Sequence, residues 1–247
     1  MKICTLVPIF DHGEAVGAVV EGLAATGLPC WIVDDGSAAA TRETLAGLEK
    51  RHAFVSVLRL PQNGGKGAAL KAGYRHAREL GFSHAIQLDA DGQHDPADVA
   101  RFVAAIEESP EALVLGVPVF DESVPFVRLA ARQLSRGLVW LACLSRVVPD
   151  PLCGFRGMPL DAVVPLIEAT PTGDRMEFEP EIAVRLVWEG TPVVSLATRV
   201  VYPRGGRSHF SLRRDYPLLA RVYLRLVGGM LARLPERWRA RTAIQGA

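Results

Sequence analysis

The chain has 247 residues, 49% of them hydrophobic, enough to bury a substantial core as one main domain. Its net charge of +1 excludes a global electrostatic attraction to nucleic acid, and no such partner is expected. Four cysteines, Cys4, Cys30, Cys143 and Cys153, lack CxxC spacing and read as reduced core thiols of a cytosolic protein. Neither a signal-peptide pattern nor an apolar run of membrane-spanning length is found.

In chain order, residues 3–7 form a continuous apolar strand, 14–25 a helix, 31–33 a strand and 41–50 a helix. Residues 54–60, 66–80 and 84–88 continue the alternation as strand, helix and strand. Short apolar runs between amphipathic helices predict an α/β fold, with a parallel sheet covered on both faces and ligands at the carboxyl ends of the strands. Three polar loops fall at such ends: 8–13, Asp34-Asp35-Gly36-Ser37, and 89–93. One crevice of nucleotide size follows. Beyond Pro110 the alternation loosens, with a strand over 112–117, a long amphipathic helix over 126–144 carrying Arg128, Arg132 and Arg136, a helix over 179–188 and a strand over 193–202.

The third loop carries the most chemistry. In Leu88-Asp89-Ala90-Asp91-Gly92-Gln93-His94 two carboxylates stand at alternate positions behind an apolar strand. Hard divalent cations bind through one or two carboxylates and share the rest of their shell with water and substrate phosphates. The plain alternative is a solvated turn before a helix capped by Asp95 and opened by Pro96. A calcium loop starting at Asp89 is excluded, since His94 and Ala100 stand where Gly and Glu are required. Asn63-Gly64-Gly65-Lys66-Gly67-Ala68-Ala69 is not a Walker A loop, because Leu60 replaces its first glycine and Ala68 its hydroxyl residue.

Six ordered motifs resemble the inverting family 2 glycosyltransferases of GT-A fold, especially the dolichol-phosphate and polyprenyl-phosphate sugar synthases. They are Val7-Pro8-Ile9-Phe10, Val33-Asp34-Asp35-Gly36-Ser37, the glycine segment at 63–69, Asp89-Ala90-Asp91-Gly92-Gln93-His94, Asp150-Pro151-Leu152-Cys153-Gly154-Phe155-Arg156, and Glu177-Phe178-Glu179-Pro180-Glu181 with Arg185. The resemblance implies a GT-A fold, a Rossmann-like, mostly parallel sheet flanked by helices. It also implies a glycosyltransferase domain over 1–210 and a basic amphipathic C-terminal tail over 211–247. Pro8, Phe10, Asp34, Asp35, Lys66, Asp89, Ala90 and His209 would bind a nucleotide-diphosphate-sugar, with Asp34 and Asp35 at the nucleoside. Asp89, Asp91 and Gln93 would hold Mg²⁺ or Mn²⁺, and Cys153, Gly154, Phe155 and Arg156 would meet the acceptor. Asp91, Glu179 and Arg156 are the expected catalytic residues.

A hydroxyl acceptor needs a general base, whereas a phosphate acceptor is already an anion and needs mainly positioning. Glu177, Glu179 and Asp150 remain open as bases, and Arg156 with the arginines of the long helix would grip phosphate through bidentate contacts. Two positions depart from the synthase pattern: His209 stands in place of a lysine, and Val117-Pro118 lacks an arginine after its strand. The segment 202–210 is instead similar to bacterial family 2 enzymes encoded with lipid or aryl-polyene assembly genes.

From Arg204 onward ten arginines face only Asp215 and Glu236. Leu218, Leu219, Val222, Leu226, Val227, Met230 and Leu234 recur at helical spacing, predicting an amphipathic helix lying on an anionic membrane surface or packing on the domain. The expected protein is an inverting, metal-dependent hexosyltransferase, peripheral on the cytoplasmic face, acting on a polyprenyl phosphate or other lipid. The alternatives are transfer to a hydroxyl of a glycan, glycolipid or aryl-polyene, or a catalytically silent nucleotide-sugar-binding scaffold.

Overall fold

The computed structural model describes residues 1–120, 126–200 and 212–245. Its centre is a seven-stranded sheet in the order β3-β2-β1-β4-β6-β5-β7. The strands are β1 (Ile3–Ile9), β2 (Cys30–Asp34), β3 (Val55–Arg59), β4 (His84–Gln87), β5 (Leu113–Phe120), β6 (Arg156–Pro159) and β7 (Val193–Val200). All neighbouring pairs are parallel except those made by β6, which runs antiparallel to both β4 and β5. This is the expected mostly parallel α/β sheet.

β1 shows why the sheet is covered on both sides. All seven of its residues are buried, and the alternation of side chains sends Cys4 and Leu6 to one core and Ile3, Val7 and Ile9 to the other. The first core is closed by α3 (Lys66–Glu79), α5 (Phe126–Cys143), α6 (Leu160–Ala169), α7 (Phe178–Trp188) and α8 (Leu212–Gln245). The second is closed by α1 (Gly13–Ala24), α2 (Ala39–Arg51) and α4 (Val99–Glu108). All four cysteines are buried, as core thiols are.

From β1 the chain builds outward through β2 to β3 on one side, then returns to place β4 on the other. The loops leaving β1 and β4 therefore diverge and open a crevice at the carboxyl ends of the strands. β6 and α6 were not anticipated. β6 has only four residues, Arg-Gly-Met-Pro, without an apolar alternation, and is a strand because β4 and β5 present it with open edges.

The C-terminal helix packs on the domain, one of the two alternatives its sequence left open. Leu219, Val222, Leu226 and Met230, four of the seven residues of the amphipathic stripe, are buried in the domain core. Burial of such side chains stabilises by roughly 1.5–3 kcal/mol each, so this face is committed to packing. Arg225 also bonds both oxygens of fully buried Glu181 at 2.7 Å, tying α8 to α7. Among the described residues no helix is long and apolar enough to cross a membrane.

Candidate active site

A cavity of about 590 Å³ opens in the crevice. β1 supplies Pro8, Ile9 and Phe10, the turn after β2 supplies Asp35, and the turn into α3 supplies Asn63, Gly65 and Lys66. The turn after β4 supplies Asp89, Ala90, Asp91 and Gln93. The remaining wall comes from His12, from Arg175 and Met176 before α7, and from Arg214 and Asp215 in the first turn of α8.

Asp35 organises the glycine turn. It accepts bonds from Asn63 Nδ2 at 2.9 Å and from the backbone N–H groups of Gly64 and Gly65 at 2.8 and 2.7 Å. Burial nevertheless outweighs these donors and Arg175, and raises its pKa. Gly65 is required here, because its φ is +104° and a Cβ would lie 2.6 Å from the Asp174 carbonyl oxygen. Asp34, expected beside the nucleoside, does not line the cavity: fully buried, it accepts from Ser37 N at 2.9 Å and Arg59 Nε at 3.0 Å. Only one of the two adjacent acids faces the ligand space, since neighbouring residues point to opposite sides of an extended chain.

Deeper in, Lys66 Nζ lies 2.7 Å from Asp89 Oδ1 and 2.9 Å from Glu179 Oε2. Gln87 Nε2 donates to Glu179 Oε1 at 2.7 Å, and the Tyr74 hydroxyl donates to Gln87 Oε1. Burial alone would neutralise Lys66, but the two carboxylates outweigh it and hold the ammonium charged. Burial likewise pushes Asp89 upward, yet Lys66 and His94 reverse the shift and keep its pKa low. Asp91 lacks such compensation: burial and the Asp89 charge push it up to about 6. Glu179 is thus held between Lys66 and Gln87, behind the cavity surface.

Asp89 and Asp91 fit a hard divalent cation. Among the described residues no group of three or more metal-ligating side chains forms a closed cage. Two carboxylates on one cavity, one of them electrostatically uncompensated, match an ion that completes its shell with water and a diphosphate. Gln93 lines the same wall, and its backbone N–H donates to Asp91 at 3.0 Å.

The expected acceptor residues are placed differently. Arg156 is completely buried and spends its guanidinium on three backbone carbonyls, those of Cys153, Glu179 and Pro151, at 2.7–2.8 Å. It clamps the 150–156 loop to α7 and grips no phosphate; its charge reaches the site only by helping to hold Asp89 ionised. Phe155 stacks on Phe102 in the core at 4.1 Å. Cys153 is buried, and burial pushes its thiol up to about 12. Gly154 meets the site from behind, since a Cβ there would lie 2.5 Å from an Asp89 carboxylate oxygen. His209 lies outside the described residues. Arg132, expected to hold phosphate, pairs with Asp150.

Arg175, Arg214 and Asp215 were missed by sequence reasoning. Arg175 stands two residues before the recognised Glu177 motif, a signal within reach. Arg214 and Asp215 carry none, because only the return of α8 across the sheet brings them to the cavity.

The sequence profile described as "Glycosyl transferase family 2" matches residues 4–158. The chain belongs to this family. Within it, the chain is similar to the undecaprenyl-phosphate mannosyltransferase of Micrococcus luteus, 28% identical over 224 residues that cover 85% of this chain and 88% of that one. It is similar to a dolichyl-phosphate beta-glucosyltransferase of Trichomonas vaginalis, 30% identical over 161 residues, or 62% of this chain and 48% of its relative. In three dimensions the family 2 fold superposes on a mannosyltransferase of Pyrobaculum calidifontis solved with GDP-Man and Mn²⁺. That match has a TM-score of 0.59 at 14% identity and covers 99% of this chain and 79% of that one. The likeness establishes the GT-A fold.

Proposed function

We propose that this family 2 glycosyltransferase moves a hexose, with inversion, from a nucleotide-diphosphate-sugar to a polyprenyl phosphate. The observation that carries the reading is the convergence of Asp35, Lys66, Asp89 and Asp91 on one cavity at the switch point of the sheet. The undecaprenyl-phosphate and dolichyl-phosphate relatives support the acceptor class.

Asp35 and the glycine turn would receive the nucleoside end of the donor, Lys66 its diphosphate. Asp89 and Asp91, with Gln93 beside them, would hold Mg²⁺ or Mn²⁺, which supplies charge neutralisation for the departing nucleoside diphosphate. In the transfer an acceptor phosphate oxygen forms a bond to the anomeric carbon as the bond from that carbon to the diphosphate breaks on the opposite face. No proton has to move, since nucleophile and leaving group are both phosphate anions. That agrees with Glu179, which is committed to Lys66 and Gln87. Arg175 and Arg214 on the cavity wall offer cationic contacts to the acceptor phosphate. Such a lipid is held in a bilayer, so the enzyme would work peripherally, on the cytoplasmic face that meets nucleotide-sugars.

The test is product analysis with UDP-, GDP-, CDP- and TDP-sugars against undecaprenyl phosphate, the free alcohol and soluble glycans, with and without Mn²⁺. A metal-dependent product on the phosphate alone, absent in Asp91→Ala, is the expected result. Transfer to a hydroxyl acceptor would replace this reading with the hydroxyl alternative, and donor binding without any turnover would favour the silent scaffold.

A further inference from the structure

Among the described residues, α5, the turn after it and α8 carry six exposed leucines. Leu134 and Leu141 on α5, Leu144 in the turn after it, and Leu224, Leu231 and Leu234 on α8 are between 39% and 75% exposed. Leu134 and Leu141, like Leu224 and Leu231, are seven residues apart, a spacing that repeats on one helical face. Tyr223 lies beside Ser135. Trp188 bonds the Ala142 carbonyl at 3.0 Å, and its ring lies 2.8 Å from where a Gly229 Cβ would stand. The helices therefore run in the same direction. Each buries its opposite face in the same core.

We infer that this paired leucine face docks the protein onto an anionic lipid bilayer. The charges around it select that occupant. Arg136 and Arg146 stack on Trp140 at 4.8 and 5.1 Å, and Arg221 is exposed on α8, whereas Arg225 is committed to Glu181. Residues 126–143 contain no Asp or Glu, and residues 212–234 contain only Asp215, which is fully buried. The exposed Glu189 beside α8 pairs with Arg233 at 3.1 Å, and leucines among arginines with few acids are the pattern of an interfacial element on anionic lipid. A second copy of the chain would bring arginine against arginine, with only Glu236 on these helices, besides fully buried Asp215, to meet them. The surface excludes the buried part of the stripe that the sequence suggested, Leu219, Val222, Leu226 and Met230; of that stripe it takes only Leu234, and α5 completes it. Its position serves the proposed acceptor: Arg214, in the first turn of α8, lines the cavity, and at 1.5 Å per residue Leu224 follows about 15 Å along the axis.

The inference rests on the proposed function for its purpose, while its test uses no acceptor, so each can fail alone. The full-length protein is floated with phosphatidylcholine vesicles with and without phosphatidylglycerol. Binding is expected to the anionic vesicles and to weaken roughly tenfold or more in Leu141→Gln/Leu231→Gln. Leu80→Gln, an exposed leucine on another side, is expected to leave binding unchanged. Melting curves and donor binding should match wild type in all variants. No vesicle binding, binding indifferent to the paired substitution, or a wild-type dimer that the paired substitution dissociates would overturn the inference. Normal vesicle binding with no transfer to any polyprenyl phosphate would leave it standing and remove the proposed acceptor.

Discussion

Lys66 Nζ sits 2.7 Å from Asp89 Oδ1, so the first carboxylate of the Asp-Ala-Asp turn already faces a positive charge in the ligand-free protein. The same ammonium holds Glu179 at 2.9 Å, and only 14% of the lysine side chain is exposed. Lys66 is thus the resident counter-ion of the site, and a divalent cation at Asp89 and Asp91 would free it to meet the donor diphosphate.

Lys66→Met should leave buried Glu179 and half-buried Asp89 without their cation. Breaking such a pair from one side typically costs about 3–5 kcal/mol. The melting temperature of the ligand-free variant is therefore expected to fall, and Mn²⁺ should raise it more than it raises wild type. A variant as stable as wild type, with no larger response to Mn²⁺, would show that the lysine charge is dispensable to the cluster.

Asp91 gives the protein a pH signature. Its native pKa of about 6 stands above the ordinary carboxylate value of 3.8, so between these limits the native state binds more protons than the unfolded chain. Its contribution to stability is then most favourable below pH 4, is lost as pH rises towards 6, and is flat above. Subtracting urea unfolding curves of Asp91→Asn from wild type across pH 4–7 should expose a loss of order 1–3 kcal/mol. A difference that does not vary with pH would contradict the assignment.

Arg156 predicts a structural phenotype where a catalytic one was expected. Arg156→Met removes the donors of three buried carbonyls, and each carbonyl left unsatisfied costs roughly 1–3 kcal/mol. Chemical denaturation should register a loss of several kcal/mol. Donor affinity of the folded fraction should change far less than in Asp91→Ala, and the reverse order of effects would restore Arg156 to the reaction.

Gly154→Ala tests the floor of the site. The added methyl would lie 2.5 Å from an Asp89 oxygen, well inside contact distance, and must displace that carboxylate. Mn²⁺ affinity, read by electron paramagnetic resonance, is expected to drop about tenfold or more, a shift of ~1.4 kcal/mol. An unchanged Mn²⁺ titration would mean that Asp89 does not need its present position.

The alternation of apolar runs and amphipathic helices from Ile3 to Leu88 depends on local periodicity and sheet burial, which is why the first half of the fold was legible. The same holds for Asp35, Lys66, Asp89 and Asp91: each sits in a turn at the end of a strand, and a parallel sheet brings all such ends to one edge. β6 was not legible, because four residues without alternation become a strand only between two waiting edges. The roles of Asp34, Arg156 and Phe155 were misread for a related reason. A motif names the residue, but the direction of its side chain is decided by what packs around it.

By itself, then, the sequence determined the α/β layering, the polar strand ends and the acidic turn, all of which follow from spacing along one chain. The tertiary structure decided which acid faces the cavity, that Arg156 is a buried clamp, that Lys66 neutralises Asp89, and which side of α8 is left to solvent. Those outcomes turn on contacts between residues up to 113 positions apart, as for Lys66 and Glu179. No local pattern encodes them, since they depend on competition among elements for the same buried space.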